Sequence, residues 1–182
     1  MAEAPSFTYF SATALAPLLE VTEGACECCG KRPGKLYRGP FYSIEEVEYL
    51  CLDCIDSGAA AAKFDGSFND IVVEWDGRVI DAEAAKAPAS VLDELRHRTP
   101  GYETWQGNRW IFHCGDGGVY QGDASAEAVA NASPEARAHF DEINSPGTWA
   151  RVLEGWTPQS HPSVYHFKCR KCAMDLFLWD MS

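Results

Sequence analysis

Eight cysteines stand at positions 26, 28, 29, 51, 54, 114, 169 and 172 of this 182-residue chain. Six of them form C-x-x-C pairs: Cys26/Cys29, Cys51/Cys54 and Cys169/Cys172. Such a pair presents two thiolates from one short stretch of backbone. Two pairs brought together close a tetrahedral zinc site with Zn–S bonds of about 2.3 Å. The chemistry on offer is therefore metal coordination. Met1–Phe10 lacks the basic-then-apolar layout of a secretion signal, so a reducing, cytoplasmic setting is expected and disulfides are not. A redox C-x-x-C belongs in a βαβ pattern that these residues do not show.

The first predicted site uses Cys26, Cys29, Cys51 and Cys54. Cys26-Glu27-Cys28-Cys29-Gly30 reads as a zinc knuckle in which Cys28 is the non-ligand. Lys31 and Arg32 beside it favour thiolates over thiols. The second predicted site is less complete. Cys114 joins Cys169 and Cys172, and the fourth ligand is open among His113, Asp116, His161 and His166, with His113 the working choice. Neighbours in a strand face opposite sides, so His113 and Cys114 can converge only if a turn at Gly115 ends the strand. One zinc ion is expected, and a second if this group closes. The triplet of types in His113, Cys114 and Asp116 also fits nucleophilic catalysis, although a working Cys–His pair is normally assembled by the fold rather than by adjacency.

The elements that must position these residues follow from pattern. Lys35–Tyr42 reads as a strand and turn, and Cys51–Cys54 opens an Ala-rich helix running from Ile55 to Phe64. Knuckle, hairpin, then C-x-x-C in a first helical turn is a treble-clef-like layout. Ser43-Ile44-Glu45-Glu46 matches a capping box, while alternation of Val47, Tyr49 and Cys51 allows a strand, so that segment is open. Asp70–Ile80 is β-rich with an Asp76-Gly77 turn. Helices are expected over Pro88–Arg98, Ala124–Asn131 and Pro134–Ile143, the last started by Ser133 and Pro134. Trp149–Leu153 is a short helix or strand. Trp110–Phe112 is strand-like, Gly115–Gly118 a turn, and Val164–Lys168 and Leu176–Trp179 two strands around the last knuckle. The expected fold is α+β: a treble-clef-like zinc module over 1–66, and a mixed α+β module over 67–182 with a zinc-knuckle hairpin, packed as one unit.

Composition limits the functions. Hydrophobic residues make up 46% of the chain, enough for a core, and no apolar run reaches the length of a membrane span. The formal charge is −12, which disfavours general binding to nucleic acid. Acids concentrate in residues 65–97, where Asp65, Asp70, Glu74, Asp76, Asp81, Glu83, Asp93 and Glu94 face only Arg78, Lys86 and Arg96. This segment is either a solvated face or an anionic docking surface, with Asp70, Glu74 and Asp76 as the partner-binding candidates. Gly115-Asp116-Gly117-Gly118 lacks the pattern of a phosphate-binding loop.

The chain resembles the CbrC family of bacterial proteins, associated with tolerance to a nuclease colicin. The resemblance is carried by Phe7-Thr8-Tyr9-Phe10, Cys26–Gly30, Tyr37–Ser43, Cys51–Ala59, Lys63–Gly66, Trp105-Gln106, Trp110, His113–Asp116 and Phe167–Cys172. It implies a non-enzymatic zinc-binding interaction protein conferring tolerance or immunity, with a cationic nuclease domain as the partner. A zinc-dependent regulator or adaptor and a zinc- or cysteine-dependent enzyme are the alternatives. The family commonly carries one more cysteine four positions after the residue matching Cys114, and here that position is Gly118.

Overall fold

Apolar side chains recur on both faces of the chain's longest hairpin, and that double pattern organises the molecule. In the computed structural model, which describes residues 5–105, 107–158 and 161–181, the hairpin is β7 (Ser163–Cys169) and β8 (Asp175–Asp180). Strands β5 (Phe112–His113) and β6 (Asp116–Asp123) complete a four-stranded antiparallel sheet in the order β5-β6-β7-β8. Successive strand residues point to opposite faces. Tyr165, Phe167 and Leu178 join one core, whereas Val164 and Phe177 join another.

The second core lies under three helices, α5 (Ala126–Ala130), α6 (Pro134–Ile143) and α7 (Thr148–Leu153). Phe140, Trp149 and Phe177 meet there edge to face, at 5.4 and 5.5 Å between ring centroids. Ser125 and Ser133 cap α5 and α6 by accepting from the N–H groups of Ala128 and Ala136. Trp149 sits in a helix, which settles the expectation left between helix and strand.

The other face of the sheet carries the rest of the chain: α1 (Ala12–Leu15), the pair β1 (Leu19–Val21) and β2 (Lys35–Tyr37), α2 (Leu52–Asp56), α3 (Ala59–Phe64) and α4 (Ala89–His97). Its core is continuous from Tyr9 and Leu36 through Ile55 and Phe68 to Phe167 and Leu176. Among the described residues, no helix is long and apolar enough to cross a membrane.

Three local expectations need correction, and the segment left open takes a third form. The helix read over Ile55–Phe64 is divided between α2 and α3, because Gly58 takes a left-handed conformation with φ 75°. Ser43–Glu46 forms neither helix nor strand. The Ser43 hydroxyl donates to the Glu45 carbonyl at 2.6 Å, a local bond that competes with helical pairing, and Ile44 is 99% exposed. The turn placed at Gly115–Gly118 sits instead at Cys114-Gly115, and Asp116, Gly117 and Gly118 belong to β6. The β-rich run Asp70–Ile80 contributes only the two-residue strands β3 (Glu74–Trp75) and β4 (Arg78–Val79), joined by Asp76-Gly77 with both residues at positive φ. Gln106 of the Trp105-Gln106 pair and Met1–Ala4 lie outside the described residues.

One hydroxyl ties distant segments of the larger core. Buried Tyr37 Oη lies 2.9 Å from the Pro40 carbonyl and 3.0 Å from the Gly101 carbonyl, and it accepts from the Gly101 N–H at 2.9 Å. Burial holds this phenol neutral, with its pKa well above the usual value. Tyr37→Phe leaves these backbone groups short of a partner in a dry site. The expected cost is about 1–3 kcal/mol of unfolding free energy, measured by urea denaturation. An unchanged midpoint would show that the hydroxyl contributes nothing.

Candidate metal centres

The first group gathers Cys26, Cys29, Cys51 and Cys54, with their sulfurs all within 4.8 Å of one another. Two turns bring them together. In the knuckle, the Cys26 N–H donates to the Lys31 carbonyl at 2.8 Å and the Gly30 N–H to the Cys26 carbonyl at 2.7 Å. In the second turn, Cys51 is the N-cap of α2 and Cys54 lies in its first turn, so both thiols point back toward the knuckle. The Cys51 N–H donates to Cys26 Sγ at 3.2 Å, and Cys29 Sγ lies 3.7 Å from Cys51 Sγ. A regular tetrahedron with Zn–S bonds of about 2.3 Å has sulfur–sulfur edges of about 3.8 Å. Cys28 stands outside the group.

The surroundings bias the thiols unevenly. A backbone hydrogen bond from Lys31 brings the Cys29 pKa down to about 7, while burial pushes Cys51 up to about 11 and Cys54 higher still. The help expected from the Lys31 and Arg32 side-chain charges takes another form: Lys31 acts through its backbone, and the Arg32 guanidinium is turned to the Glu23 carbonyl. The cation that does clasp the knuckle is Lys63 of α3. Its ammonium donates to the Glu27 and Cys28 carbonyls at 2.7 and 2.9 Å. The Glu27 carboxylate in turn accepts from the Glu48 and Tyr49 N–H groups, at 2.9 and 2.8 Å.

The second group is His113, Cys114, Cys169 and Cys172, again with ligand atoms within 4.8 Å of one another. His113 Nδ1 lies 3.2 Å from Cys114 Sγ and 3.6 Å from Cys172 Sγ. The adjacency problem is solved by the turn: Cys114 and Gly115 both have positive φ, 57° and 67°, which swings the thiol back over the imidazole. The last residue of β7 and the turn that follows it supply the other two sulfurs, the turn being closed by the Ala173 N–H donating to the Cys169 carbonyl at 3.0 Å. Lys171 of that turn donates to the Cys114 carbonyl at 2.8 Å and joins the two turns.

The other candidates for the fourth position have different work. His166 pairs with Asp175 at 2.9 Å, and His161 is not part of the group. Asp116 accepts from Arg170 at 2.9 Å, from the Tyr9 hydroxyl at 2.9 Å and from the Gly117 N–H at 2.9 Å. The Arg170 guanidinium also lies over the Tyr9 ring, 5.0 Å from its centroid. At Gly118, a Cβ would meet Ile111 Cγ2 at 3.1 Å and Phe167 Cβ at 3.2 Å, so a cysteine there would press on packed core side chains.

Sequence reasoning missed His139, on α6. It is 8% exposed, neither ring nitrogen has a hydrogen-bond partner among the described residues, and its ring meets that of His113 edge to face at 5.2 Å. Both rings border a cavity of about 420 Å³ that Glu83, Arg109 and Glu142 also line. The only signal for His139 was a histidine on the buried stripe of an amphipathic helix. Asp70, Glu74 and Asp76 are all exposed but belong to neither group; the latter two sit on the β3–β4 hairpin.

Fold and sites define a class: a mixed α+β protein with two thiol-rich groups, one of four cysteines and one of three cysteines and a histidine, each able to hold a metal ion. Residues 4–181 match the model described as Uncharacterised protein family (UPF0167), and the chain belongs to that family. It is 36% identical over 172 residues to UPF0167 protein PA1536 of Pseudomonas aeruginosa, covering 92% of each chain. It is 29% identical over 183 residues to UPF0167 protein Mb2317 of Mycobacterium bovis, covering 98% of this chain and 94% of that one. No solved structure matches.

The Arg170–Asp116–Tyr9 cluster fixes the second knuckle to the N-terminal segment. In Arg170→Met, the nearly buried Asp116 carboxylate loses its counter-ion. With Arg170 40% exposed on its side chain, solvent screening lowers the loss to about 1–2 kcal/mol. Urea unfolding measures it, and a loss below a few tenths would show that the pair is ornamental.

Proposed function

We propose that this protein is a cytoplasmic, non-enzymatic interaction protein of the CbrC kind, stabilised by two zinc ions and protecting the cell from a nuclease toxin by binding its cationic domain. The observation that carries the zinc assignment is the sulfur spacing: 3.7 Å between Cys29 and Cys51 fits an edge of a zinc tetrahedron. In the second group, neutral imidazole and three thiolates are a donor set that suits the same ion. Zinc at the two groups supplies folding free energy by holding turns that side-chain packing alone leaves exposed, since Cys29 of the first and Cys114 and Cys172 of the second are on the surface.

The partner assignment draws on the acidic hairpin. Glu74 and Asp76 project with Trp75, which is 71% exposed, and Asp70 stands exposed just before them. An aromatic side chain among carboxylates suits a cationic protein surface, and such attraction speeds association in a salt-dependent way. A regulator or adaptor that binds another cellular protein would use the same features. An enzyme reading has one feature in its favour, the cavity at His113, Cys114 and His139. Metal-assisted chemistry needs an open coordination position, and the four ligand atoms of the second group make a complete set, so the interaction reading is preferred.

Two tests address this reading. Purified protein is expected to contain two zinc per chain by elemental analysis, falling to one in His113→Ala. Cys51→Ser or a strong chelator should lower the thermal midpoint by well over about 10 °C, because structural zinc is worth several kcal/mol. Equal melting with and without chelator would reject structural zinc. For the partner, Asp70→Lys, Glu74→Lys and Asp76→Lys combined should weaken binding to a basic nuclease domain by at least about tenfold, roughly 1.4 kcal/mol, with the wild-type association rate falling as salt rises. Intact tolerance and binding in that variant would make the hairpin a solvated face.

A further inference from the structure

A cavity of about 710 Å³ lies away from both cysteine groups. It is bounded by α1 and the turn after it, by residues 102–105, and by the neighbouring ends of β6 and β7. Its floor is aromatic. Tyr120 and Tyr165 are buried there, and Tyr102 stacks on Tyr120 at 4.5 Å and meets Tyr165 at 5.1 Å. Its walls include two aromatic rings that packing leaves open, Tyr42 at 47% and Trp105 at 67% exposure. Both residues are held in place: the Tyr42 hydroxyl donates to Asn108 Oδ1 at 3.1 Å, and the Trp105 backbone N–H donates to an Asp180 carboxylate oxygen at 2.6 Å.

The charges in this cavity have one sign. Glu103 and Asp123 line it, and no Lys, Arg or His does so among the described residues. Neither carboxylate takes part in an ion pair among the described residues. A bulge between Tyr120 and Gly122 shifts the register of β6 just before Asp123 and so sets where that carboxylate points. Burial and the Glu103 charge both raise the Asp123 pKa, the mark of two like charges lacking a cation between them.

Aromatic faces attract cations through their quadrupole, and ligand pockets pair an apolar lining with a few placed charges. We propose that this cavity is a binding site for an organic cation, an ammonium or guanidinium group on an aliphatic stem. Glu103 and Asp123 neutralise the charge, while the Trp105 and Tyr42 rings flank the stem. A neutral polar ligand would stack on the same rings but leave the two carboxylates repelling each other. An inorganic cation would make no use of the rings. The site shares no residue with either cysteine group or with the acidic hairpin, so it stands or falls independently of zinc and of the toxin partner.

The test uses the full-length zinc-loaded protein with n-butylguanidinium, n-butylammonium and a capped Gly-Gly-Arg-Gly-Gly peptide, followed by the indole NMR signals. Butanesulfonate and n-butanol serve as controls. The expected result is a saturable shift of the Trp105 indole with the cations and none with the controls. Glu103→Gln combined with Asp123→Asn should weaken binding at least about tenfold without lowering the thermal midpoint, since both residues are exposed and the change removes a repulsion. Trp105→Leu, followed by calorimetry because the variant lacks the reporter indole, should weaken it as well. A peptide that binds about tenfold more tightly than butylguanidinium would mark the cation as a partner protein's side chain; equal affinities would mark it as a free small molecule. The proposal is overturned if wild-type protein shows no saturable shift with any of the three cations. It is equally overturned if the controls bind as well as the cations, or if the double carboxamide variant binds unchanged.

Discussion

Four thiols within 4.8 Å of one another is the constraint on which the N-terminal half depends. Thiols attract one another weakly, and thiolates repel, so nothing in the sulfurs themselves holds that spacing. The backbone does it, through the knuckle bonds at Cys26 and Gly30 and the helical start at Cys51. Lys63 then locks the knuckle from outside by binding the carbonyls of Glu27 and Cys28, the two residues between the ligands. Because Lys63 lies on α3, the break at Gly58 matters: it redirects the chain after α2 so that α3 can bring this ammonium to the knuckle. Leu50, Cys51 and Ile55 carry the same turn into the larger core, which reaches the central sheet at Phe167.

The sheet transmits that order to the second group. Its two cores differ in origin, one built largely from the N-terminal segments and the other from α5, α6 and α7. One end of the sheet carries His113 and Cys169 on its strands and Cys114 and Cys172 in the turns that follow them, and two charged residues of the last turn point in different directions. Arg170 reaches back to Asp116 and Tyr9, and Lys171 reaches across to the Cys114 carbonyl. Both turns are thereby fixed by contacts that leave the ligand atoms free. The cation cavity uses the other end of β6 and β7, around Asp123 and Ser163.

What could be read from the sequence was whatever is local in it. The C-x-x-C turns, the Ser133 cap of α6, and the Asp76-Gly77 turn depend on residues a few positions apart, and their chemistry survives any tertiary setting. The convergence of His113 with Cys114 was legible only as a condition, because it depends on left-handed backbone at Cys114, a residue type that seldom adopts it. Ser43–Glu46 carried a helix signature, yet the segment is fixed between the Tyr42–Ser67 and Tyr37–Leu50 bridges, and tertiary pairing overrides weak local propensity. Neither His139 nor the aromatic cavity had a motif to announce it. The cavity draws its lining from Thr13 to Tyr165, and only the sheet brings those positions together.

The register of β6 against β7 places Gly118 opposite Cys169, with Val119 opposite Lys168 and Tyr120 opposite Phe167. Side chains alternate along a strand, so a slip of one residue would send Cys169 to the far face of the sheet and Phe167 with it. Hydrophobic burial alone penalises that slip, but a bulged strand with several glycines offers loose partners for the chain to settle on wrongly. A metal ion bound at His113, Cys114, Cys169 and Cys172 would sense the same error digitally, since three donors do not make four. Coordination at the end of the sheet would thus work as a checksum on strand alignment: only chains that have paired correctly would offer an ion four donors.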